Sequence, residues 1–191
     1  MTSGRQRLQG PRESEFTDEQ KAVHDAIVSG PRGMIGGPLP LWLHSPRFAS
    51  LAQQVGEFCR FGSSLERRLS ELAIIVTGAF WRADFEWHFH APLAIDAGIA
   101  PEAVEAIRVH SVPSLNRADE RAVYRFCREL LADRRISQQT YDEAVALLGE
   151  VGVVDLVAVL GYYGLVSLTL VAFQVELPEG ADPPFEDYSA Q

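Results

Sequence analysis

The chain has 191 residues, 47% of them hydrophobic, enough for one domain with its own core and too apolar for a disordered chain. Its net charge is −9, and no Lys or Arg follows Arg135, so no basic stripe exists to hold nucleic-acid phosphates. An anionic small molecule could bind only in a local pocket with its own arginines.

The opening segment, "MTSGRQRLQGPRESE", lacks the apolar stretch of a secretory signal and is expected to form a flexible arm over 1–15. The only cysteines, Cys59 and Cys127, fit no paired spacing, which points to a reducing compartment and predicts a cytoplasmic location. "FTDEQKAVHDAIVSG" reads as a helix, with Thr17 and Gln20 at capping-box spacing and Gly30 at its end. The Gly- and Pro-rich stretch from Gly30 to Pro40 is an irregular loop without the Lys-Ser/Thr of a phosphate-binding loop. It is either a wrapping connector or a loop that covers a pocket.

A second helix starts at Ser45 and Pro46 and runs to Gly62. "SSLERRLSELAIIVTGAFW" is a third, capped by Ser63 or Ser64, and "RADFEWHFHAPLAIDAG" a fourth. Next come a helix opening at Pro101, the amphipathic "NRADERAVYRFCRELLADRR", a helix capped by Ser137 and a long apolar helix. Nothing alternates with period two for long enough to make a strand, so the expected fold is all-α, a helical bundle. One domain is expected over 16–177, followed by an acidic, Pro-rich tail at 178–191.

The last helix contains "VVDLVAVLGYYGLVSLTLVAF", from Val153 to Phe173, which is long enough to cross a membrane. Asp155 inside it, Gly161 and Gly164 interrupting it, and the lack of flanking positive charge argue for a buried helix instead. A chain this short would need a second subunit to cover it all. No membrane contact and a homo-oligomer are therefore expected.

Chemistry concentrates in the fourth helix. Glu86 and His90 are four residues apart and share a face, while His88 points elsewhere. Pro92 cannot donate to the carbonyl of His88, so a kink is expected just past the pair. Glu71, in the preceding helix, precedes an apolar run where a solvated charge has no place. Two readings stand: a Glu71–Glu86–His90 proton relay, or Glu71 paired with Arg67 or Arg68 and His90 a satisfied core residue. Glu86, His88 and His90 also offer metal-ligand types, but residues two apart on a helix diverge, so no metal site is expected.

The block from Glu71 to Ile107 resembles the carboxymuconolactone decarboxylase family, which includes the alkylhydroperoxidase D-like proteins. That family carries a Glu on one helix, then C-x-x-C-x-x-x-H and a Gly on the next. Glu71, His90 and Gly98 match the Glu, the His and the Gly. The flanking helices, the Gly/Pro-rich loop and the apolar last helix also look like one subgroup of this family, which implies an alkylhydroperoxidase D-like bundle and a trimer or hexamer.

The two family cysteines fall on Ala83 and Glu86. Without a thiolate and a resolving thiol, the peroxidase cycle of the relatives does not carry over. The resemblance then implies the lactone decarboxylase branch, acting on a carboxylated unsaturated γ-lactone from aromatic catabolism. His90 would be the proton donor or shuttle, Glu86 would orient it, and Glu71 would complete the relay. Arg82, Arg32 and Trp87 are the candidate substrate-binding residues. No metal or organic cofactor is required in principle, because the lactone can accept the electron pair. A non-catalytic, ligand-binding protein on the same scaffold is the alternative, and a hydroperoxidase using Cys59 or Cys127 is the reading the residues favour least.

Overall fold

Among residues 6–185, which the computed structural model describes, the chain forms helices and no strand. They are α1 (Asp18–Ser29), α2 (Leu39–Trp42), α3 (Pro46–Glu57), α4 (Arg67–Trp81), α5 (Asp84–Asp96), α6 (Pro101–Arg108), α7 (Ala118–Arg128) and α8 (Gln138–Phe173). Single π-helical turns, Phe58–Gly62 and Glu129–Asp133, follow α3 and α7. The all-α bundle expected from the sequence is the fold.

α4 is the axis of the bundle. Every residue from Arg68 to Ala79 is buried, with α5, α6, α7 and α8 packed around it. The capping box at α1 forms as its spacing predicts: Gln20 N–H donates to Thr17 Oγ1 and Thr17 N–H to Gln20 Oε1. Ser45 and Pro46 start α3, although the Ser45 side chain makes no capping bond. Neither Ser63 nor Ser64 caps α4, which begins only at Arg67. The Ser64 N–H and hydroxyl both donate to Asp155 Oδ2, each at 2.7 Å. That pairing is how a carboxylate is tolerated inside the apolar part of α8.

α8 is broken at Gly149, where φ is 72° and ψ 170°, a left-handed position that glycine takes without strain. It is therefore two helices, as the sequence pattern suggests, with Ser137 capping the first through the Thr140 N–H. By length and composition alone the apolar part could span a membrane. In the fold Leu156, Val159, Leu160, Tyr163, Val166 and Leu170 enter the core, while Val151, Val154, Val157, Leu168 and Val171 stay exposed.

The two ends of the domain differ from expectation. The arm is anchored over 6–15: Arg7 N–H donates to Phe173 O (2.9 Å) and its guanidinium to Ala172 O (3.0 Å). These bonds satisfy carbonyls that the end of a helix otherwise leaves open. The tail is likewise held as far as Phe185, whose ring is buried and whose N–H donates to Asp84 Oδ1. The remainder of both segments, 1–5 and 186–191, lies outside the described residues.

Candidate functional site

α4 and α5 are joined only by Arg82 and Ala83, so they pack as an antiparallel hairpin. Arg82 takes a left-handed conformation (φ 51°), and the N–H groups of Arg82 and Ala83 close onto the carbonyls of Ala79 and Gly78. Gly78 faces Glu86, where an added Cβ would lie 3.5 Å from Glu86 Cγ, so the missing side chain lets the two helices approach closely.

This hairpin brings Glu71, Glu86 and His90 together, all buried. His90 Nδ1 lies 2.7 Å from Glu71 Oε2, and His90 Nε2 lies 3.1 Å from Glu86 Oε1. The first contact is a hydrogen bond, the ring N–H donating to the carboxylate. The second is close but misaligned, so Glu86 Oε1 remains a buried oxygen without a hydrogen-bond partner. Burial raises the Glu86 pKa, and Glu71 adds to this, while His90, Arg60 and Arg32 oppose it. The two carboxyl groups lie on opposite edges of one imidazole, a geometry for passing a proton and not for converging on an ion. His88 takes no part: it is half-buried, with its ring edge-on to Phe89.

The pairing of Glu71 with Arg67 or Arg68 does not occur. Arg68 is committed to α7, with Asp119 Oδ2 at 2.6 Å and Glu120 Oε1 at 2.7 Å. That buried ion-pair cluster leaves the Glu71 carboxylate to the imidazole.

Glu86 and His90 open onto a cavity of about 180 Å³. An engineered cavity of about 150 Å³ holds benzene, so this one suits a single ring with small substituents. Phe85, Phe89 and Leu93 of α5 and Tyr162, Tyr163 and Val166 of α8 form its walls. The Gly30–Pro40 loop closes it with Arg32, Met34, Gly36, Gly37 and Pro38, which settles the loop as a pocket wall. Arg60, on the π-helical turn after α3, completes the lining.

Of the candidate substrate-binding residues, only Arg32 lines this cavity. Arg82 sits at the hairpin turn with its guanidinium 5.8 Å from the Phe185 ring centre. Trp87 is buried on another face of α5, its ring centre 5.5 Å from that of Phe185. Both expectations are corrected: Arg82 lies in the turn before α5, and Trp87 is about 100° round from Glu86 on the side away from Phe85 and Phe89, so neither reaches the cavity lining. Arg60, Tyr162 and Tyr163 were not legible as site residues. Nothing in the local pattern around Arg60 marks it, and the two tyrosines sit in a uniformly apolar run.

The model of the carboxymuconolactone decarboxylase family matches residues 46–129, a stretch that contains all three relay residues. Over that stretch the chain is similar to the family, in a form without the paired motif cysteines. Its fold is the alkylhydroperoxidase D-like one. A peroxidase-related protein from Silicibacter sp. TM1040 superposes with a TM-score of 0.71 at 15% identity, over 90% of this chain and 91% of that one. A putative antioxidant defence protein AhpD from Agrobacterium tumefaciens gives 0.64 at 14%, over 72% and 95%. The debrominase Bmp8 gives 0.70 at 11%, over 90% and 92%, and is also known in complex with 2,3,4-tribromopyrrole. Among curated proteins, none matches this sequence.

Proposed function

We propose that the protein is a lyase of the lactone decarboxylase type, which removes CO2 from a small carboxylated, unsaturated lactone or related ring by acid–base chemistry. One observation carries this reading: His90 is held between two buried carboxyl groups at the wall of a ring-sized cavity. Bmp8, of the same fold, is a debrominase that binds a small ring, which supports a ring-shaped ligand here.

The reaction breaks the C–C bond to the carboxylate. Its electron pair enters the conjugated ring system and rests on the carbonyl oxygen as an enolate, and CO2 leaves. A proton delivered to ring carbon then returns the pair from oxygen and shifts the double bond. The lactone is its own electron sink, so the chemistry requires no organic cofactor. Both His90 nitrogens face carboxyl groups, so the group that meets the substrate is Glu86, with His90 behind it and Glu71 fixing the ring. Arg32 and Arg60 supply the positive charge that an anionic substrate needs.

The test is turnover of carboxylated γ-lactones by the purified protein, followed as CO2 release. His90→Ala or Glu71→Gln is expected to lower it by about 10²–10⁴-fold, the range for losing a general acid–base group. His88→Ala is expected to be mild. No turnover of any such lactone by the folded protein would overturn the reading.

A further inference from the structure

The cavity has a second polar end that the relay does not use. Arg32 reaches it from the Gly30–Pro40 loop, and Tyr162 from α8. The Arg32 Nη2 group donates to the Tyr162 hydroxyl oxygen at 3.4 Å, so the phenol accepts from arginine and keeps its own O–H to donate. No protein acceptor for that O–H is seen among the described residues. Arg32 Nε is also buried and has no partner. Two donors thus lie at one place in a largely apolar cavity, both without an acceptor, and a buried donor in that state costs free energy unless a ligand satisfies it.

Local packing shows that this pair is built. Gly56 of α3 lies directly beneath it: an added Cβ would come within 2.1 Å of the Tyr162 hydroxyl and 2.4 Å of Arg32 Nη2. Behind Tyr162, Trp42 and Tyr163 stand edge-on, with ring centres at 6.2 and 5.3 Å. The phenol is therefore clamped from three sides, and only a glycine at 56 leaves room for the guanidinium beside it.

We infer that Tyr162 and Arg32 form an oxyanion site, which binds the carbonyl oxygen of the ring and stabilises the negative charge that collects there as CO2 leaves. The inference rests on the proposed decarboxylation for the reaction but on the cavity alone for the site. Arg32 on the departing carboxylate would work against the reaction, because it would hold the charge where it starts. On the carbonyl oxygen it holds the charge where it ends, which lowers the barrier. Arg60, at the exposed rim, is screened by solvent and so receives the carboxylate with a weaker hold on its charge than the half-buried Arg32 would have. Charge then flows from the Arg60 side to the Arg32–Tyr162 side, and the proton enters from Glu86.

The probe is 4-nitrophenol, a single ring whose anionic oxygen mimics an enolate and whose ionised form absorbs in the visible. It needs no turnover. Titrated into the wild-type protein slightly below its own pKa, it is expected to bind one per chain with the anion enriched by about tenfold or more over free solution. That is the size of one hydrogen bond to a charged group. Tyr162→Phe and Arg32→Met should each lose most of this enrichment, Arg32→Lys should keep part of it, and Arg82→Met should keep all of it. Binding as the neutral phenol, indifference to Tyr162→Phe and Arg32→Met, or no binding at millimolar probe would each overturn the inference. Lactone turnover without anion enrichment removes the oxyanion site and spares the lyase. Anion enrichment without turnover does the reverse.

Discussion

Gly56→Ala separates the architecture of the cavity from its chemistry. The new methyl would meet Tyr162 Oη at 2.1 Å, Cζ at 2.2 Å and Arg32 Nη2 at 2.4 Å. Arg32 is the free end of a loop side chain and can swing away at little cost. Tyr162 cannot retreat, since its ring is buried between Trp42 and Tyr163. Overpacking of this kind costs about 1–3 kcal/mol. Replacing glycine by alanine inside a helix returns about 1 kcal/mol. The net loss of stability is thus no more than about 2 kcal/mol, and the protein stays folded at 25 °C. The Arg32–Tyr162 pair does not survive, and losing a single oxyanion donor lowers kcat by about 10²–10³-fold. Denaturant unfolding and lactone turnover, measured on one preparation, should therefore diverge: a small stability change beside a kcat loss of about 10²-fold, with KM less affected. Wild-type turnover in a folded Gly56→Ala protein would refute the reasoning. So would an activity loss that merely followed the unfolded fraction.

Three other outcomes follow from the same geometry. Glu86 has a raised pKa in the folded state, chiefly through burial, which favours its acid form. Its contribution to stability is present below the ordinary carboxyl pKa and is lost as pH rises through the raised one. Turnover should fall over the same rise, and Glu86→Gln should remove that dependence; an identical stability profile in Glu86→Gln would count against it. Burial, with Asp155 adding, raises the Cys59 pKa to about 11, and burial also raises that of Cys127, so neither is a thiolate at neutral pH. Dithiol-dependent peroxide consumption is therefore not expected, and its loss on Cys59→Ser or Cys127→Ser would contradict this. Finally, the exposed Val151, Val154, Val157, Leu168 and Val171 of α8 lead us to expect a homo-oligomer in sedimentation, which the family resemblance implies is a trimer or hexamer. A stable monomer at micromolar concentration would refute it.

How far the sequence could be read depended on how local each feature was. The Thr17–Gln20 box, Pro46, Pro101 and Ser137 act within one helical turn, and each appears where its residue type predicts. The Glu86–His90 pair is equally local. Glu71 could be joined to it because two residues link the helices, which fixes their antiparallel packing. Long-range pairings were not legible. Ser64 looks like a helix cap, but Asp155 competes for its N–H and hydroxyl from 91 residues away. Phe185 looks like part of a free tail until Trp87, Asp84 and Arg82 are seen around it. Tyr162 is one apolar-run residue among many, and only its contact with Arg32, 130 residues earlier, gives it a chemical identity.

The replacement of both motif cysteines bears on mechanism in a way that either one alone would not. Ala83 lies at the N-cap of α5, where the helix dipole would otherwise favour a thiolate. With methyl there, no sulfenate can form, and a second thiol at position 86 would have nothing to resolve. A carboxyl group at 86 keeps the reach toward the cavity and keeps the four-residue spacing to His90. In the proposed reaction it exchanges a proton where a thiol would exchange electrons, with His90 and the buried Glu71 behind it. Glu71 is closed off from solvent at 3% exposure, so the relay has one outlet. A proton given to substrate must be replaced through the cavity itself once the product has left. On this reading Glu71 sets the orientation of His90, and Glu86 alone trades protons with what the cavity holds.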